Sequence, residues 1–284
     1  MASARSRNAR IRSAAFGYVN LLPFVFFALF PFYFMFVTSF KSNAELYNLK
    51  SVPFTVQAPI AEHYTYLFRR TEFLTWMKNS LIIAVVATGA SVVISILAGY
   101  SLSRLRFRGA GTFGTAIFVT YLVPPTLLFL PMSQVVTWLG LADTVWSLVV
   151  IYPTFLVPFC TWLLMGYFRT IPREVEECAL VDGATRMQTL VRIVLPMAIP
   201  GIICALLFSF TLCWNEFIYA LTFVSQSASK TAVVGVTADL IRGDIYYWGS
   251  LMAGAVLASV PIVVIYVLFL DYYVSGLTAG AVKG

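Results

Sequence analysis

The 284-residue sequence has little charge for its length, since Asp, Glu, Lys and Arg together make up 11% of it. Apolar residues make up 60%. An average soluble domain carries about 25% charged and about 45–50% apolar residues. Both values exclude a soluble globular enzyme and a disordered chain, and they indicate a protein embedded in a membrane.

The sequence also has few of the residues that build catalytic and metal sites. Its one histidine is His63, and its four cysteines show neither a CxxC pair nor a spacing to histidine that suits a metal. We therefore predict no metal site, no cofactor and no catalytic residues, and we expect small buried thiols. The phosphate-binding pattern G-x-x-x-x-G-K-[ST] is absent, so any ATP and magnesium must be bound by a partner protein.

The net charge of +7 does not indicate a nucleic-acid partner. Lys and Arg occur in short groups between apolar runs, and no basic face alternates with aromatic residues. Membrane proteins show this layout because their cytoplasmic loops are enriched in positive charge. We therefore predict that the chain contacts a lipid bilayer and no nucleic acid.

Six apolar segments are long enough to cross a membrane as helices, which takes about 20 residues. They are Tyr18–Phe40, Ser80–Leu102, Thr112–Val136, Val145–Phe168, Ala198–Phe223 and Trp248–Leu270. The first follows a basic tail at residues 1–15 and exceeds the roughly 7–15 apolar residues of a signal sequence, so we expect it to stay uncleaved. The predicted fold is an all-α membrane protein, with residues 16–284 as one domain of six transmembrane helices.

The distribution of Lys and Arg predicts which loops face the cytoplasm. Six spans place both termini on one side, and cytoplasmic termini leave twelve of the 19 Lys and Arg residues inside. Because cytoplasmic loops are enriched in these residues, we predict cytoplasmic N- and C-termini. The connections over residues 41–79 and 225–247 then face outwards.

Prolines cluster in the third and fourth apolar segments, at Pro124, Pro125, Pro131, Pro153 and Pro158. Each removes a backbone donor and crowds the preceding turn, so we expect kinks. The carbonyl groups that are freed need partners in lipid, which favours helices that line a cavity enclosed by protein. Simple tolerance of proline by membrane helices is the alternative.

One charged island interrupts the apolar sequence between the fourth and fifth segments. Pro172 suits the first turn of a helix, and Gly183 suits the left-handed residue that ends one. Thr185 and Gln188 then form the pattern of a capping box at the start of a second helix. The sequence therefore predicts two short helices joined by a sharp turn over residues 172–196, which we call the elbow.

The second helix of the elbow carries an apolar stripe at helical spacing. Its members are Met187, Leu190, Val191 and Val194. An isolated helix of this length is marginal in water, and the rest of the chain offers mostly lipid-embedded helices. We therefore expect the stripe to fill a groove on another protein, while a connector that rests on the bilayer is the alternative.

The elbow sequence resembles a known family motif. "EECALVDGA" followed by "RIVLP" resembles the EAA loop of ABC-importer permeases, in which E-A-A, a glycine, an isoleucine and L-P stand at fixed spacings. The matching residues are Glu177, Cys178, Ala179, Gly183, Ile193, Leu195 and Pro196. Cys178 replaces an alanine of the motif and is the one departure. The stretches "TSFKSNAELY", "FLTWMKNSLIIA", "WNEF" and "GLTAGAVKG" are similar to carbohydrate-uptake permeases of the maltose-permease type.

This resemblance implies a type I ABC-importer permease fold in the plasma (inner) membrane of a bacterium. It implies import of a sugar or sugar-like solute together with a second permease subunit in a heterodimer, two cytoplasmic ATPase subunits and an extracytoplasmic solute-binding protein. The elbow would be the coupling helix that sits in a cleft of the ATPase. The ATPase-coupling residues are then predicted to be Glu177, Ala179, Asp182, Gly183, Ile193, Leu195 and Pro196.

Glu216 is the one formally charged residue within the six apolar segments. A carboxylate in mid-membrane costs about 2.5–3.5 kcal/mol, so it should face other helices or water. We predict a substrate pathway that includes Glu216 with Trp214 and Asn215, and also Tyr121 and Tyr152. The alternatives are a hydrogen bond at a subunit interface, a carboxylic acid that is held neutral, and a proton-coupled secondary transporter that uses Glu216. A membrane-embedded enzyme is disfavoured because no catalytic arrangement is present.

Overall fold

The computed structural model describes residues 2–105, 107–243 and 245–278. Arg106 and Lys283, which entered the predicted orientation, lie outside the described residues, as does the rest of the C-terminal stretch from residue 279. Two compact units divide the chain, one of Met1–Thr71 with Ala238–Leu257 and one of Glu72–Thr237 with Ala258–Gly284. The predicted boundary after residue 15 stays a prediction.

Helices make up most of the described chain. In chain order they are α1 (Ala2–Ser39), α2 (Asn43–Leu46), α3 (Glu62–Arg70), α4 (Phe73–Arg104), α5 (Ala110–Tyr121), α6 (Pro125–Trp138), α7 (Val145–Ile151), α8 (Pro153–Phe168), α9 (Arg173–Val181), α10 (Arg186–Thr189), α11 (Leu195–Met197), α12 (Ile199–Asn215), α13 (Ile218–Phe223), α14 (Ala232–Leu240), α15 (Trp248–Leu268) and α16 (Leu270–Thr278). A π-helical turn (Leu190–Val194) separates α10 from α11, and a 3-10 turn (Ser227–Ser229) precedes α14. Two short strands, β1 (Ile241–Arg242) and β2 (Ile245–Tyr246), form an antiparallel pair. The all-α prediction is confirmed apart from this small hairpin.

The predicted membrane segments are all helical, but two of them are not single straight helices. Four continuous segments are long and apolar enough to cross a membrane, at Gly17–Ser39, Phe73–Arg104, Val145–Phe168 and Trp248–Leu268. The third predicted segment is two helices, α5 and α6, bent by 94° where Pro124 and Pro125 interrupt backbone hydrogen bonding. The fifth predicted segment begins with α12, which is bent by 78° from the elbow helix before it. The helix of this segment is interrupted again after Asn215, where α12 ends. The described chain therefore has up to six spans if each bent pair counts as one.

In the first unit, buried polar side chains order the connection that follows α1. The ammonium group of Lys41 donates to the carbonyl oxygens of Val52 at 2.7 Å and Pro53 at 2.9 Å. The Nε2 atom of His63 lies 2.8 Å from the Lys41 carbonyl oxygen, and its Nδ1 atom lies 3.3 Å from the Ser250 hydroxyl. A neutral imidazole protonated at Nε2 satisfies both contacts, so a structural role accounts for His63.

In the second unit, α4 and α8 pack along each other through small residues. Ala84, Ala87, Ser91 and Ser95 are buried on α4 at the spacing of one helix face. At the end of this face, a side chain at Gly99 would come within 3.2 Å of a backbone nitrogen of α8. Helices without large interfacial side chains approach closely and gain packing contacts that lipid cannot supply. This pair forms the frame to which the elbow is attached.

Candidate functional site

The structure contains the two helices and sharp turn predicted for the elbow. Helix α9 follows Pro172, and Gly183 takes a φ of +86° just after it ends. The backbone N–H of Gln188 donates to the Thr185 hydroxyl at 3.3 Å, and the Thr185 N–H donates to the Gln188 side chain at 2.8 Å. The predicted capping box is therefore confirmed. The π-helical turn that follows it was not predicted.

The coupling residues predicted from the family resemblance fall into three groups by exposure. Glu177, Asp182, Gly183 and Pro196 are exposed, Ile193 and Leu195 are half-buried, and Ala179 is buried. The exposed group is accessible to a second protein. Ala179 packs inside the chain, so its small size serves the attachment of α9. The coupling roles themselves stay predictions.

The apolar stripe of the elbow is divided between the interior and the surface. Leu190 and Val194 are buried in a core cluster that also contains Phe168. Met187 is 58% exposed and Val191 is 52% exposed. The expectation that the whole stripe is free for another protein was therefore wrong, because the ends of the neighbouring helices do cover half of it.

A buried ion pair joins the elbow to the end of α4, and sequence reasoning missed it. The Arg104 Nε atom lies 3.0 Å from a carboxylate oxygen of Glu176, and both side chains are almost fully buried. The Tyr100 hydroxyl donates to the other carboxylate oxygen at 3.1 Å. The guanidinium group also donates to the carbonyl oxygens of Phe168 and Ile171. These five residues are called the Arg104 cluster.

Some signal for this cluster exists in the sequence, although it does not identify the partners. Tyr100 and Arg104 stand four residues apart and therefore share a helix face. Glu176 lies directly before the motif residue Glu177. A glutamate in the first turn of a helix is ordinarily explained by the helix dipole, which accounts for an exposed side chain and not for a buried one.

Glu216 lies at the break after α12, where its backbone is extended. Its carboxylate accepts hydrogen bonds from the N–H groups of Tyr219 at 2.8 Å and Ala220 at 3.0 Å, at the start of α13. It also accepts the Tyr152 hydroxyl at 2.9 Å. The Tyr219 hydroxyl donates to the Pro125 carbonyl oxygen at 2.9 Å, next to the other helix break. Glu216 therefore supplies the acceptor that the first turn of α13 requires.

Two of the residues predicted to contact substrate lie inside the packed helices. Trp214 is 2% exposed, and its indole N–H donates to the Ala258 carbonyl oxygen at 3.0 Å. Tyr152 is 0% exposed, and its hydroxyl is bonded to Glu216. Direct sugar contact by these two side chains is therefore not supported, since no face of either ring is accessible. Asn215 and Tyr121 are exposed, and their predicted role stays open.

The start of α4 fixes the connection between α13 and α14, which carries backbone groups outside regular structure. The Trp76 indole N–H donates to the Ser227 carbonyl oxygen at 2.8 Å. The Asn79 amide donates to the carbonyl oxygens of Ala228 at 2.8 Å and Lys230 at 3.0 Å. The side chains of Trp76 and Asn79 thus supply donors to the carbonyl groups of this connection.

Asp143 fixes the other end of this connection. It is a non-glycine residue with a φ of +62°, in the turn between α6 and α7. Its carboxylate accepts the backbone N–H groups of Ser225 at 2.7 Å and Gln226 at 2.9 Å. These bonds, the one from Gln226 first, lower the pKa of the Asp143 carboxyl because they stabilise its charged form.

Comparison with protein families decides which family the chain belongs to. The family described as "Binding-protein-dependent transport system inner membrane component" matches residues 91–278, well over half of the chain. The chain belongs to this family. The permease is therefore a multi-pass inner membrane protein of a binding-protein-dependent transport system.

Known proteins resemble the permease over nearly its full length. It is 36% identical over 279 residues to the inner membrane ABC transporter permease protein YcjP of Escherichia coli (strain K12), covering 98% of this chain and 99% of that protein. It is 34% identical over 259 residues to the trehalose/maltose transport system permease protein MalG of Thermococcus litoralis, covering 90% and 92%. The diacetylchitobiose uptake system permease protein DasC of Streptomyces coelicolor is 32% identical over 257 residues, covering 90% and 92%.

A solved structure confirms the predicted fold. The permease matches a chain of a bacterial ABC transporter involved in the import of the acidic polysaccharide alginate, with a TM-score of 0.76 and 22% identity. The match covers 94% of the permease and 98% of that chain. The permease thus has the ABC-importer permease fold.

Proposed function

We propose that the permease forms part of the membrane pathway of an ATP-driven importer for a sugar or sugar-like solute. We further propose that the elbow couples this pathway to a separate cytoplasmic ATPase. The observation that carries the proposal is the divided elbow. One side is fixed to the helix frame by buried residues, and the other presents Glu177, Asp182, Met187 and Val191 to solvent. A partner that moves the exposed side would therefore act on the membrane helices.

The proposed solute class is supported by what similar proteins are named for. The relatives include permeases of trehalose/maltose and diacetylchitobiose systems, and the matched structure belongs to an alginate importer. The solutes in these names are all saccharides, although they differ in size and charge. We therefore propose a saccharide, without assigning a particular one.

The proposed assembly contains partners on both sides of the membrane. A second, non-identical permease subunit would complete the pathway, two ATPase subunits would bind ATP and magnesium, and an extracytoplasmic protein would deliver the solute. The distribution of Lys and Arg supports cytoplasmic termini and a cytoplasmic elbow. The family description supports the delivery protein.

The proposed mechanism is rigid-body movement. Closure of the ATPase dimer would bring the elbows of the two permease subunits together. Because packed helices shift as units and bend little, the membrane halves would rock about a central cavity and change the side to which it opens.

Replacement of Gly183 tests the proposal. A left-handed backbone costs a residue with a side chain about 1–2 kcal/mol, and a β-branched residue suffers most. Gly183→Val should abolish uptake by proteoliposomes that contain the assembled transporter and ATP without an ion gradient. Gly183→Asn is the matched control, since Asn tolerates this conformation, and it should retain most uptake. Full ATP-driven uptake by Gly183→Val would contradict the proposal.

A further inference from the structure

Two adjacent glutamates on α9 face different surroundings. Glu177 is exposed, whereas Glu176 is 4% exposed. Successive residues of a helix point about 100° apart, so one helix can be held from inside through one glutamate and contacted from outside through the other. The neighbouring Glu174, also on α9, is exposed as well.

Arg104 binds three separate parts of the chain at once. It is the last residue of α4, and its guanidinium group donates to the carbonyl oxygens of Phe168, at the end of α8, and Ile171. Its third contact is the ion pair with Glu176 on α9. The planar guanidinium presents its donors in a fixed geometry, so it sets the mutual placement of these segments more strictly than a single hydrogen bond would.

The pair also makes displacement of α9 unfavourable. If α9 tilted away from α4, the buried Glu176 carboxylate and the buried Arg104 guanidinium group would each lose a partner of opposite charge, which is costly for buried charges. The Tyr100 hydroxyl would lose its acceptor as well. A short helix that would be marginal alone is therefore attached to α4 and α8 by charge as well as by packing.

The charged groups around the cluster leave Glu176 as the residue whose replacement is simplest to interpret. A cavity of about 450 Å³ beside the pair is lined by Arg173, Arg186 and Glu177. Either of these arginines can approach Glu176 if Arg104 is replaced. Loss of the Glu176 charge instead leaves Arg104 bonded to its two carbonyl groups, next to a cavity that water can enter.

We propose that Glu176 is the positioning residue that makes the elbow move as one body with α4 and α8. Glu177 then belongs to the contact with the ATPase, and Glu176 belongs to the transmission of movement inside the permease. This inference rests on the proposed function, since it requires a partner that moves the elbow. With the Arg104 cluster intact, displacement of α9 is passed to the membrane helices. Without it, the elbow tilts and the helices stay behind.

Distance measurement between spin labels tests this transmission without knowledge of the solute. Cys178 is exposed on α9, and the other three cysteines are buried, so a nitroxide attaches to Cys178 in the native sequence. A second label at Val86→Cys, an exposed position, lies about 27 Å along α4 from Arg104 at 1.5 Å per residue. Pulsed EPR of the assembled transporter in nanodiscs, without nucleotide and with ATP, magnesium and vanadate, reports whether the elbow and α4 move together.

With native Glu176, the distance distribution should stay narrow and unchanged between the two states. Glu176→Gln should add a second distance population in the vanadate state. We expect this population to be at least about fivefold larger than in the native chain, since fivefold is the lower end of typical coupling effects between two sites. Glu174→Gln on the same helix is the matched control and should behave like the native chain. Gly235→Ala, whose new side chain would clash with the ring of Trp76, should lower stability without adding this population.

The outcomes separate this inference from the proposed function. If binding of the ATPase leaves the mobility of the Cys178 label unchanged, the proposed docking fails. If the ATPase immobilises the label but Glu176→Gln gives the same narrow distribution as Glu174→Gln, docking stands and the positioning role of Glu176 is overturned. A second population in Gly235→Ala would also overturn it, because general destabilisation would then explain the effect.

Discussion

Replacement of Glu216 distinguishes a helix-capping carboxylate from a proton-carrying one. Glu216→Ala and Glu216→Gln both remove the titratable group, but only Gln keeps a side-chain oxygen that can accept hydrogen bonds. A proton carrier would lose function equally in both variants. A capping residue would be replaced better by Gln, so the difference between the two variants isolates the acceptor.

The size of this difference follows from the three bonds that Glu216 accepts. Loss of a capping acceptor at the start of a helix costs about 0.5–2 kcal/mol. The Tyr152 hydroxyl lies in a fully buried side chain and would lack a partner in the Ala variant, which costs about 1–3 kcal/mol. Because Gln retains one of the two oxygens, we expect Glu216→Ala to be less stable than Glu216→Gln by about 1–3 kcal/mol.

Denaturant titration of the assembled transporter in detergent micelles measures these free energies of unfolding. Tyr152→Phe completes a double-mutant cycle. It should destabilise the native chain by about 1 kcal/mol and cost nothing in the Glu216→Ala background, where the hydroxyl has already lost its acceptor. Equal stability of the Ala and Gln variants, or additive effects with Tyr152→Phe, would refute the capping role.

Two further predictions concern packing and pH. A side chain at Gly201 would clash with the Tyr167 ring, so Gly201→Ala should lower the free energy of unfolding by about 1–3 kcal/mol. Gly166→Ala on α8 meets nothing within 4 Å and should be neutral or stabilising by up to about 1 kcal/mol in the same titration, and equal loss in both variants would contradict this packing. The lowered pKa of the Asp143 carboxyl means that its charge stabilises the fold fully above the unfolded pKa of about 3.9 and is lost as pH falls through the lower folded value. The stability difference between the native chain and Asp143→Asn should therefore be constant near neutral pH and shrink in acid, and growth of that difference in acid would contradict the assignment.

The parts of the elbow that depend on neighbouring residues could be predicted from the sequence. Gly183 at a positive φ and the Thr185–Gln188 capping box each follow from interactions within three residues. The bend at Pro124 and Pro125 is local as well, because proline removes a donor wherever it stands.

Features that depend on distant residues could not be predicted. The sequence identified Glu216 as unusual by its charge, but the donors at Tyr219 and Ala220 become visible only when the helix is known to break there. Likewise, an apolar stripe does not show whether its partner belongs to the same chain or another. Leu190 and Val194 pack against their own chain because α8 ends beside them, and this arrangement is a property of the fold.

Labelling of Cys178 tests the central claim most directly. Cys178 is exposed on the elbow, and the other cysteines are buried, so a membrane-impermeant maleimide reports on this position in the native sequence. We expect no reaction in intact cells, rapid reaction in inside-out vesicles stripped of ATPase subunits, and slow reaction again once those subunits are added back. Labelling of intact cells, or an unchanged rate after the ATPase is restored, would contradict a cytoplasmic elbow that couples the permease to an ATPase.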